Sequence, residues 1–540
     1  MATRWLRVSC HQSRSTTRRR IAGEPGRGRL KIVAQILYLK ELALAWPRLT
    51  RLIFFLCGAL LMLSFAPVGW FGLAPVLLLP FLCSTLYMEP RLAARHGFWY
   101  GAGLFLAGTY WIYISVHIFG EAPLLVAVFL MLALVVVMGW FYAATAFLIS
   151  KLTAGHATRL MLAAPAAWVA IEWLRGWFLS GFPWMSLGYG QIDSWLAGFA
   201  PIAGVYGVSL VLMVSTSALL VAIVTQQKMR LVAVSIAVIP WFAGVLIGDI
   251  EWTSEAGPSV RATIVQGGVS QDRKWTREQF RPTLELYRNS IRANPDSDLI
   301  IWPEVALPAR IDMVEDYVEQ LQSDINVRGQ TLLFGILEWD ADAQRMYNSV
   351  VLIDGEDRGT RQIYRKRHLV PFGEFFPVPG FVREWMRLMS LPYSDMSAGE
   401  DEQPLLRMSD GNQLAVAICY EDAYGAEQLY ALSEATLLIN VSNDAWFGES
   451  IAPHQHLEIA RMRALEAGRY VARATNNGVS AFIGPDGSLL QTGEQFRYVS
   501  MSHDVTPRKG LTPYAMVGNW PVISFVLLIL GWLAYRLRSS

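Results

Sequence analysis

The first half of the chain is almost continuously apolar from residue 52 to residue 249, and the pattern changes abruptly after that point. Apolar runs of about 20 residues are long enough to cross the hydrocarbon core of a bilayer. The predicted spans are 52–67, 70–88, 97–117, 122–149, 160–179, 196–225, 229–249 and, near the C-terminus, 520–535. The pattern therefore predicts a multi-span helical membrane domain at 52–249 and a last membrane helix with a short tail at 520–540.

Residues 250–519 have the composition of a soluble domain, in which short apolar segments alternate with amphipathic ones. Predicted strands lie at 262–266, 299–302, 331–337, 349–353, 414–418, 437–441 and 480–483, and predicted helices include 277–293, 314–327 and 455–467. Strands separated by helices are typical of a layered α/β fold. We therefore expect an α/β domain outside the membrane.

Composition and charge placement refine this picture. Hydrophobic residues make up 53% of the chain and charged residues 17%, which is typical of a membrane protein. The net charge of +2 gives no indication of nucleic-acid binding. Alternate short loops carry the basic pairs Arg91 and Arg95, Lys151 and Arg159, and Lys228 and Arg230. Because positive charges concentrate on the cytoplasmic side, we expect both termini in the cytoplasm, together with the basic extension 1–51, and residues 250–519 in the periplasm.

A cysteine at the end of a predicted strand is the first candidate for chemistry. Cys419 follows the apolar segment 414–418 and precedes Tyr420, Glu421 and Asp422. A strand holds such a thiol in place while the following turn exposes it, so Cys419 is a candidate nucleophile. A buried, inert thiol is the alternative for any single cysteine. The other cysteines, which lie in the basic tail and in apolar runs and are expected to be inert, are Cys10, Cys57 and Cys83.

Two further charged residues have chemistry that suits a thiol. Glu304 ends the predicted strand at 299–302 in the motif WPE, where a carboxylate is able to act as a general base. Lys366 lies in the basic segment 364–368, and a lysine directed into a pocket stabilises an oxyanion and lowers a thiol pKa. Taken alone, each of these residues is more often a solvated surface charge. The pair His454 and His456 lacks accompanying ligands at metal spacing, so we expect no metal and no cofactor.

Glutamate, lysine and cysteine in this order, each beside a strand, form the pattern of the nitrilase superfamily. The sequence resembles one branch of it, the apolipoprotein N-acyltransferases of bacterial inner membranes. The motifs that carry the resemblance are WPEVALP at 302–308, YRKRHLVPFGEFFP at 364–377, ICYED at 418–422, NVSNDAWFG at 440–448, PHQHLEIARMRALE at 453–466 and TNNGVSAFIGPDG at 475–487. The resemblance extends over nearly the whole chain from about residue 52, and the basic extension lies outside it.

The resemblance implies a nitrilase-like αββα sandwich with a Glu304–Lys366–Cys419 triad. Glu304 would be the base, Lys366 would stabilise the tetrahedral oxyanion, and Cys419 would hold an acyl chain as a thioester. Supporting residues implied in the same way, in part by orienting the lysine, are Glu374, Glu421 and Tyr420. Residues implied to contact the acyl chain or the lipoprotein are Trp275, Trp446, Phe375 and Phe376. The last two belong to an apolar segment, 372–396, which we interpret as a mobile lid.

The activity implied by the resemblance moves a fatty acyl chain from a phospholipid to the α-amino group of S-diacylglyceryl-cysteine on an apolipoprotein, in two half-reactions. We expect the protein to act as a monomer. One alternative is a membrane-tethered amidase of the nitrilase type that acts on a small amide, although one anchor would suffice for it. Another alternative is a transporter or receptor, which the scarcity of acids and bases within the predicted spans disfavours.

Overall fold

The structure is a computed structural model that describes residues 41, 44–356, 361–371, 373–375 and 396–539. Most of the basic extension and most of the predicted lid, including Phe376, therefore lie outside the described residues. The membrane half consists of α1 (Pro47–Leu61), α2 (Leu73–Tyr87), α3 (Pro90–Thr109), α4 (Leu124–Thr153), α5 (Ala157–Arg175), α6 (Ala200–Val224) and α7 (Gln227–Gly248). Each of these helices overlaps one predicted span.

Five helical segments in the described part of the chain are long and apolar enough to cross a membrane, and a bent pair would make a sixth if it forms one span. The pair is α3 with Trp111–Phe119, which bend by 49°. The last of the five is the C-terminal helix Trp520–Ser539. Helix α2 is apolar but shorter, and α5 carries Arg159, Glu172 and Arg175. That α2 and α5 also cross the membrane stays a prediction.

The second half is an αββα sandwich, which confirms the layered α/β prediction. Its strands are β1 (Ser254–Glu255), β2 (Val260–Gln266), β3 (Leu299–Ile301), β4 (Thr331–Asp340), β5 (Arg345–Asp354), β6 (Gln362–Arg365), β7 (Leu406–Arg407), β8 (Gln413–Ile418), β9 (Leu437–Ser442), β10 (Val471–Thr475), β11 (Ala481–Ile483), β12 (Leu489–Thr492), β13 (Val499–Val505) and β14 (Arg508–Lys509). Two six-stranded sheets have the orders β13-β2-β3-β4-β5-β6 and β12-β11-β10-β9-β8-β7. The sequence patterns missed β10, which contains a buried arginine, and the short or polar edge strands.

Alternating side chains separate the layers of the sandwich. Successive residues of a strand point to opposite faces of its sheet. Ile264 and Leu333 of one sheet pack in a core with Ile418 and Ile439 of the other. On its other face the first sheet packs against α8 (Arg277–Ala293) and α9 (Glu315–Asn326), while α10 (Ala452–Ala467) covers the second sheet. The ends of β3 and β8, which the candidate residues Glu304 and Cys419 follow, lie at the same edge of the inner core.

Helix α10 lies between the sandwich and the membrane half, and it is buried on almost every side. Its polar side chains bind the membrane half directly. The backbone N–H of Ala66 donates to Glu458 at 3.1 Å, and that of Val205 donates to Glu466 at 2.7 Å. Trp184 donates its indole N–H to Gln455 at 2.7 Å. The prediction of an amphipathic helix at 455–467 misses this contact, because Gln455, Glu458 and Glu466 are buried against a second domain and do not face water.

Candidate functional site

Cys419 lies where β8 ends and the chain turns into the short 3₁₀ helix Cys419–Ala423. Strand β8 pairs in parallel with β9 on one side, which fixes the position of the strand end. The backbone of Cys419 has φ of +53°, a left-handed conformation that costs about 1–3 kcal/mol for a residue with a side chain. Such strain at a strand end is typical of a positioned nucleophile. The surrounding contacts must hold the turn in place.

Glu304 follows β3 in a similarly tight turn, and it is only 6% exposed. The next residue, Val305, also has a left-handed φ of +46°. Strand β4 approaches this turn so closely that a Cβ on Gly335 would lie 2.5 Å from the backbone nitrogen of Val305. A glycine is therefore required at position 335. The tight packing places the carboxylate of Glu304 inside the sandwich, facing the end of β6.

Lys366 lies directly after β6, and its side chain is buried between two carboxylates. Its Nζ is 3.3 Å from Oε1 of Glu304 and 2.8 Å from Oε1 of Glu374. Burial opposes the charged form, but the two carboxylates outweigh it and hold the pKa of Lys366 well above its usual range. The lysine is therefore a fixed cation beside the thiol, which is what stabilisation of an oxyanion requires.

The thiol of Cys419 is protonated at rest. Burial and the negative charge of Glu304 raise its pKa well above the usual range, and the charge of Lys366 offsets only part of this rise. The charge of Lys366 lowers the thiol pKa, as the sequence predicts, but this effect is smaller than the rise caused by burial and Glu304. Because no thiolate is present in advance, nucleophilic attack requires a base, and Glu304 is the carboxylate that interacts with both the thiol and the lysine.

The structure shows how the predicted supporting residues are connected. Glu374 binds Lys366 with one oxygen and accepts a hydrogen bond from the N–H of Val370 at 2.8 Å with the other. Glu421 binds the backbone on both sides of the site: it accepts from the N–H of Ile418 at 2.6 Å and from that of Arg367 at 2.7 Å. It therefore ties the strand that carries the cysteine to the residue after the lysine.

Tyr420 connects the catalytic turn to the membrane half. Its ring stacks on Trp184 with centroids 6.3 Å apart and an interplanar angle of 26°. The neighbouring Tyr424 donates its hydroxyl hydrogen to the carbonyl of Ser180 at 3.0 Å. The loop after α5 thus forms part of the surroundings of the nucleophile.

The predicted substrate-binding aromatic residues lie at the surface of the catalytic domain. Trp275 is 53% exposed, and Trp446 is 40% exposed, with a carbonyl that accepts a hydrogen bond from Ser115 of the membrane half at 2.9 Å. Phe375 is partly buried, and its neighbour Phe376 lies outside the described residues. Contact of these side chains with lipid stays a prediction.

Two buried residues at the site had no signal in the sequence. Asn348 of β5 donates from its amide to Glu304 at 2.7 Å and to Glu374 at 2.9 Å, and so bridges the two carboxylates that hold Lys366. Lys274 places its Nζ 3.4 Å from the carbonyl oxygen of Glu304, and burial lowers its pKa to about 8 although the glutamate favours its charge. An asparagine in a strand and a lysine in a polar loop are common, so only the fold identifies them.

The bridge made by Asn348 gives a testable prediction. The N348L variant removes both donors while keeping a branched side chain of similar shape, so the carboxylates of Glu304 and Glu374 repel each other and shift away from Lys366. We expect the acylation step that the family resemblance implies to slow by about 10- to 100-fold, the effect of losing hydrogen bonds to charged groups. The rate is measured in a single turnover with the phospholipid donor that the resemblance implies. N348D, which adds a third carboxylate, should be slower still, and a normal rate in N348L would contradict the bridging role.

Both halves of the chain are similar to known protein families. Residues 57–218 match the apolipoprotein N-acyltransferase N-terminal domain, and residues 261–503 match the carbon-nitrogen hydrolase family. The apolipoprotein N-acyltransferase of Methylococcus capsulatus is 39% identical over 485 residues, covering 89% of this chain and 95% of the relative. The chain belongs to the apolipoprotein N-acyltransferase family. Membership confirms the resemblance inferred from the motifs and the expected class of enzyme, an acyltransferase.

A second relative agrees with this assignment. The apolipoprotein N-acyltransferase of Azotobacter vinelandii is 39% identical and covers 92% of this chain and 96% of the relative. Among solved structures, Saccharomyces cerevisiae Nit3, a member of branch 10 of the nitrilase superfamily, is 18% identical with a TM-score of 0.36, covering 47% of this chain and 93% of that chain. An amidase from Nesterenkonia sp. is 18% identical with a TM-score of 0.36, covering 49% and 96%. Scores this low carry no argument about chemistry. The nitrilase-like fold rests on the sheet pairing and on the carbon-nitrogen hydrolase match.

Proposed function

We propose that the protein transfers a fatty acyl chain from a phospholipid to the α-amino group of S-diacylglyceryl-cysteine at the N-terminus of an apolipoprotein. The observation that carries this proposal is the grouping of the partly buried Cys419 with the buried Lys366 and Glu304, in a domain whose helix α10 packs against an apolar helical bundle. A thiol beside a base and a fixed cation suits acyl transfer, and the bundle suits a lipid donor. The names of the relatives support the same substrates.

In the first half-reaction, the carboxylate of Glu304 takes the proton of the Cys419 thiol while the sulfur attacks the ester carbonyl carbon of the phospholipid. The carbonyl oxygen becomes an oxyanion, which the ammonium group of Lys366 stabilises. Collapse of this intermediate breaks the ester C–O bond, and Glu304 returns its proton to the departing alkoxide. The products are a lysophospholipid and a thioester on Cys419.

In the second half-reaction, the α-amino group of the lipoprotein attacks the thioester carbonyl, and Glu304 accepts a proton from the attacking amine. The oxyanion is again stabilised by Lys366, and collapse breaks the C–S bond. The departing sulfur takes the proton held by Glu304, so the enzyme returns to its starting state and an amide is released. The thioester must be protected from water between the two steps. The burial of Glu304 and Lys366 and the packing of Tyr420 on Trp184 support this protection.

We also propose the arrangement in the membrane that this reaction requires. Residues 52–249 and the helix at 520–540 lie in the inner membrane, residues 250–519 face the periplasm, and both termini, including residues 1–51, are cytoplasmic. The basic residues of alternate short loops support this orientation. The protein acts as a monomer, since Glu304, Lys366 and Cys419 come from one chain. The aromatic residues Trp275, Trp446, Phe375 and Phe376 contact the lipid substrates.

Intact mass spectrometry tests the proposed function. The purified protein is incubated with phospholipid and no acceptor, and we expect one added acyl mass on Cys419 that neutral hydroxylamine removes, because thioesters react with it readily. Adding a diacylglyceryl peptide should discharge the adduct and give an N-acylated peptide. The proposal is wrong if a folded protein with a titratable thiol forms no adduct. Release of ammonia from a small amide by the same preparation would instead favour the amidase.

A further inference from the structure

A cluster of buried charges lies beneath the nucleophile, and the proposed reaction steps do not use it. Its members are Asp422, Asp444, His456 and Arg473, and each is at most 2% exposed. Arg473 of β10 is 3.2 Å from Asp422 and 2.8 Å from Asp444. His456 of α10 is 2.9 Å from Asp422 through Nε2 and 2.8 Å from Asp444 through Nδ1. Two carboxylates thus face an imidazole ring and a guanidinium group in a site that is buried from water.

The contacts of His456 determine its protonation. Nδ1 faces a carboxylate oxygen of Asp444, while Nε2 faces both a carboxylate oxygen of Asp422 and the carbonyl oxygen of Cys419, at 3.2 Å. A carbonyl oxygen only accepts hydrogen bonds, and Asp444 also binds Arg473 and Ser442 as an ionised carboxylate would. Both ring nitrogens must therefore carry hydrogen. The imidazole is a cation, in agreement with a pKa raised to about 9: burial and Arg473 lower this pKa, but the two aspartates outweigh them.

We propose that His456 is a positioning residue for the nucleophile, whose imidazolium holds the strained Cys419 turn in its reactive conformation. The N–H of Nε2 donates to the carbonyl of Cys419, the residue whose φ is +53°. That bond fixes the peptide plane after the nucleophile, and with it the direction of the backbone N–H of Tyr420. This inference rests on the proposed role of Cys419 as the acylated residue.

The charge of His456 matters as much as its hydrogen bond. With the imidazolium present, the cluster has two negative and two positive charges and is neutral. Loss of the proton leaves one uncompensated negative charge directly below the thiol, where a further negative charge develops on sulfur and oxygen during the reaction. A like charge at this distance in a buried site raises the energy of that transition state. Acylation should therefore slow when His456 loses its proton.

The groups that surround His456 belong to four elements. Asp422 comes from the turn after β8, Asp444 from the turn after β9, and Arg473 from β10. The loop of the membrane half contributes the uncharged ring of Trp184, with centroids 5.5 Å apart. Because the folded-state pKa of His456 lies near 9, above its usual value, the charged form is present at neutral pH and is lost as the pH rises through about 9.

The test is the pH profile of acylation in a single turnover, measured as the growth of the thioester adduct with phospholipid and no acceptor amine. We expect the wild-type rate to fall by about tenfold for each pH unit well above 9, as expected when one essential proton is lost. The H456Q variant retains a donor for the carbonyl of Cys419 but has no titrating charge. Its rate should be lower at neutral pH by about tenfold, from the loss of a charged hydrogen bond. The acylation rate of H456Q should not fall further as the pH rises through 9.

The matched control is H454Q, on the same helix two residues away, which should retain the wild-type fall near pH 9. The inference is overturned if H456Q shows the same alkaline fall as the wild type, or if the wild-type rate does not fall there. A purely structural role would lower the rate of H456Q equally at every pH. If H456Q does not fold, the wild-type and H454Q profiles still test the inference, because a rate that does not fall near pH 9 in these proteins overturns it. An enzyme that forms no thioester on Cys419 at all would instead contradict the proposed function.

Discussion

Replacing Cys419 with alanine should abolish acyl transfer, with a loss of at least about 10⁴-fold in the rate of N-acylated product formation. The side chain is the only group in the described site that would carry the acyl chain between donor and acceptor. Alanine fits the space left by the partly buried cysteine side chain without introducing a polar group, and it accepts the strained backbone as poorly as cysteine does. The fold should therefore persist while the chemistry stops. The measurement is transfer to a diacylglyceryl peptide in mixed phospholipid micelles.

The chain offers a matched control for this variant. Cys83 lies in α2 and packs against the apolar core of the membrane half. Among the described residues, it makes no contact with Glu304, Lys366 or Cys419. The C83A variant should therefore fold and transfer the acyl chain at the wild-type rate. Retention of full transfer by C419A, with the protein folded, would show that the acyl chain does not pass through a thioester. Direct transfer between the two substrates, or a different nucleophile, would then have to be sought.

Replacing Glu304 with glutamine should slow acylation by about 10²- to 10⁴-fold, the contribution of a general base. Glutamine is isosteric, and its carbonyl oxygen is able to accept the hydrogen bonds that Asn348 and Lys366 now donate at 2.7 and 3.3 Å. It cannot take the proton of the Cys419 thiol, whose pKa in the wild type is raised well above its usual range by burial and by Glu304. The thiol therefore stays protonated and attacks slowly.

The pH dependence of E304Q distinguishes loss of a base from loss of structure. Removing the negative charge of Glu304 lowers the thiol pKa toward its usual value, so the thiolate forms more easily as the pH rises. At pH values below about 9, where His456 keeps its charge, residual acylation by E304Q should increase with pH without need of a base. The control is E338Q, which alters a carboxylate of β4 that pairs with Arg365 at 2.6 Å outside the site. It should leave acylation within about twofold of the wild type. A pH-independent residual rate in E304Q would contradict the assigned role.

Local patterns were enough to predict the ends of the strands that carry Glu304 and Cys419. The apolar runs before these two residues have the length and composition of buried strands, and a buried strand fixes the residue that follows it. The same reasoning identified the apolar helices of the first half, because the apolar length needed to cross a bilayer is a property of a single segment. The motif resemblance identified the family correctly and supplied Lys366, Glu374 and Glu421 as further site residues.

Other features were not available to that reasoning. Asn348 bridges Glu304 from a strand 44 residues away, and no property of its neighbours marks it. His456 looked like one half of a weak metal motif, yet it pairs with Asp422 and Asp444, 34 and 12 residues away along the chain. The segment 455–467 is predicted from the sequence as an amphipathic helix, but Gln455 and Glu466 bind the membrane half.

The sequence by itself therefore determined the helical and α/β halves, the strand ends and the residue types of the candidate site. The tertiary structure decided which buried polar groups meet: the bridge at Asn348, the charge cluster below Cys419, and the contact of Tyr420 with Trp184. The physical reason is that hydrophobic periodicity and chain turning are local, whereas a buried charge is stable only beside partners that the fold brings from distant segments.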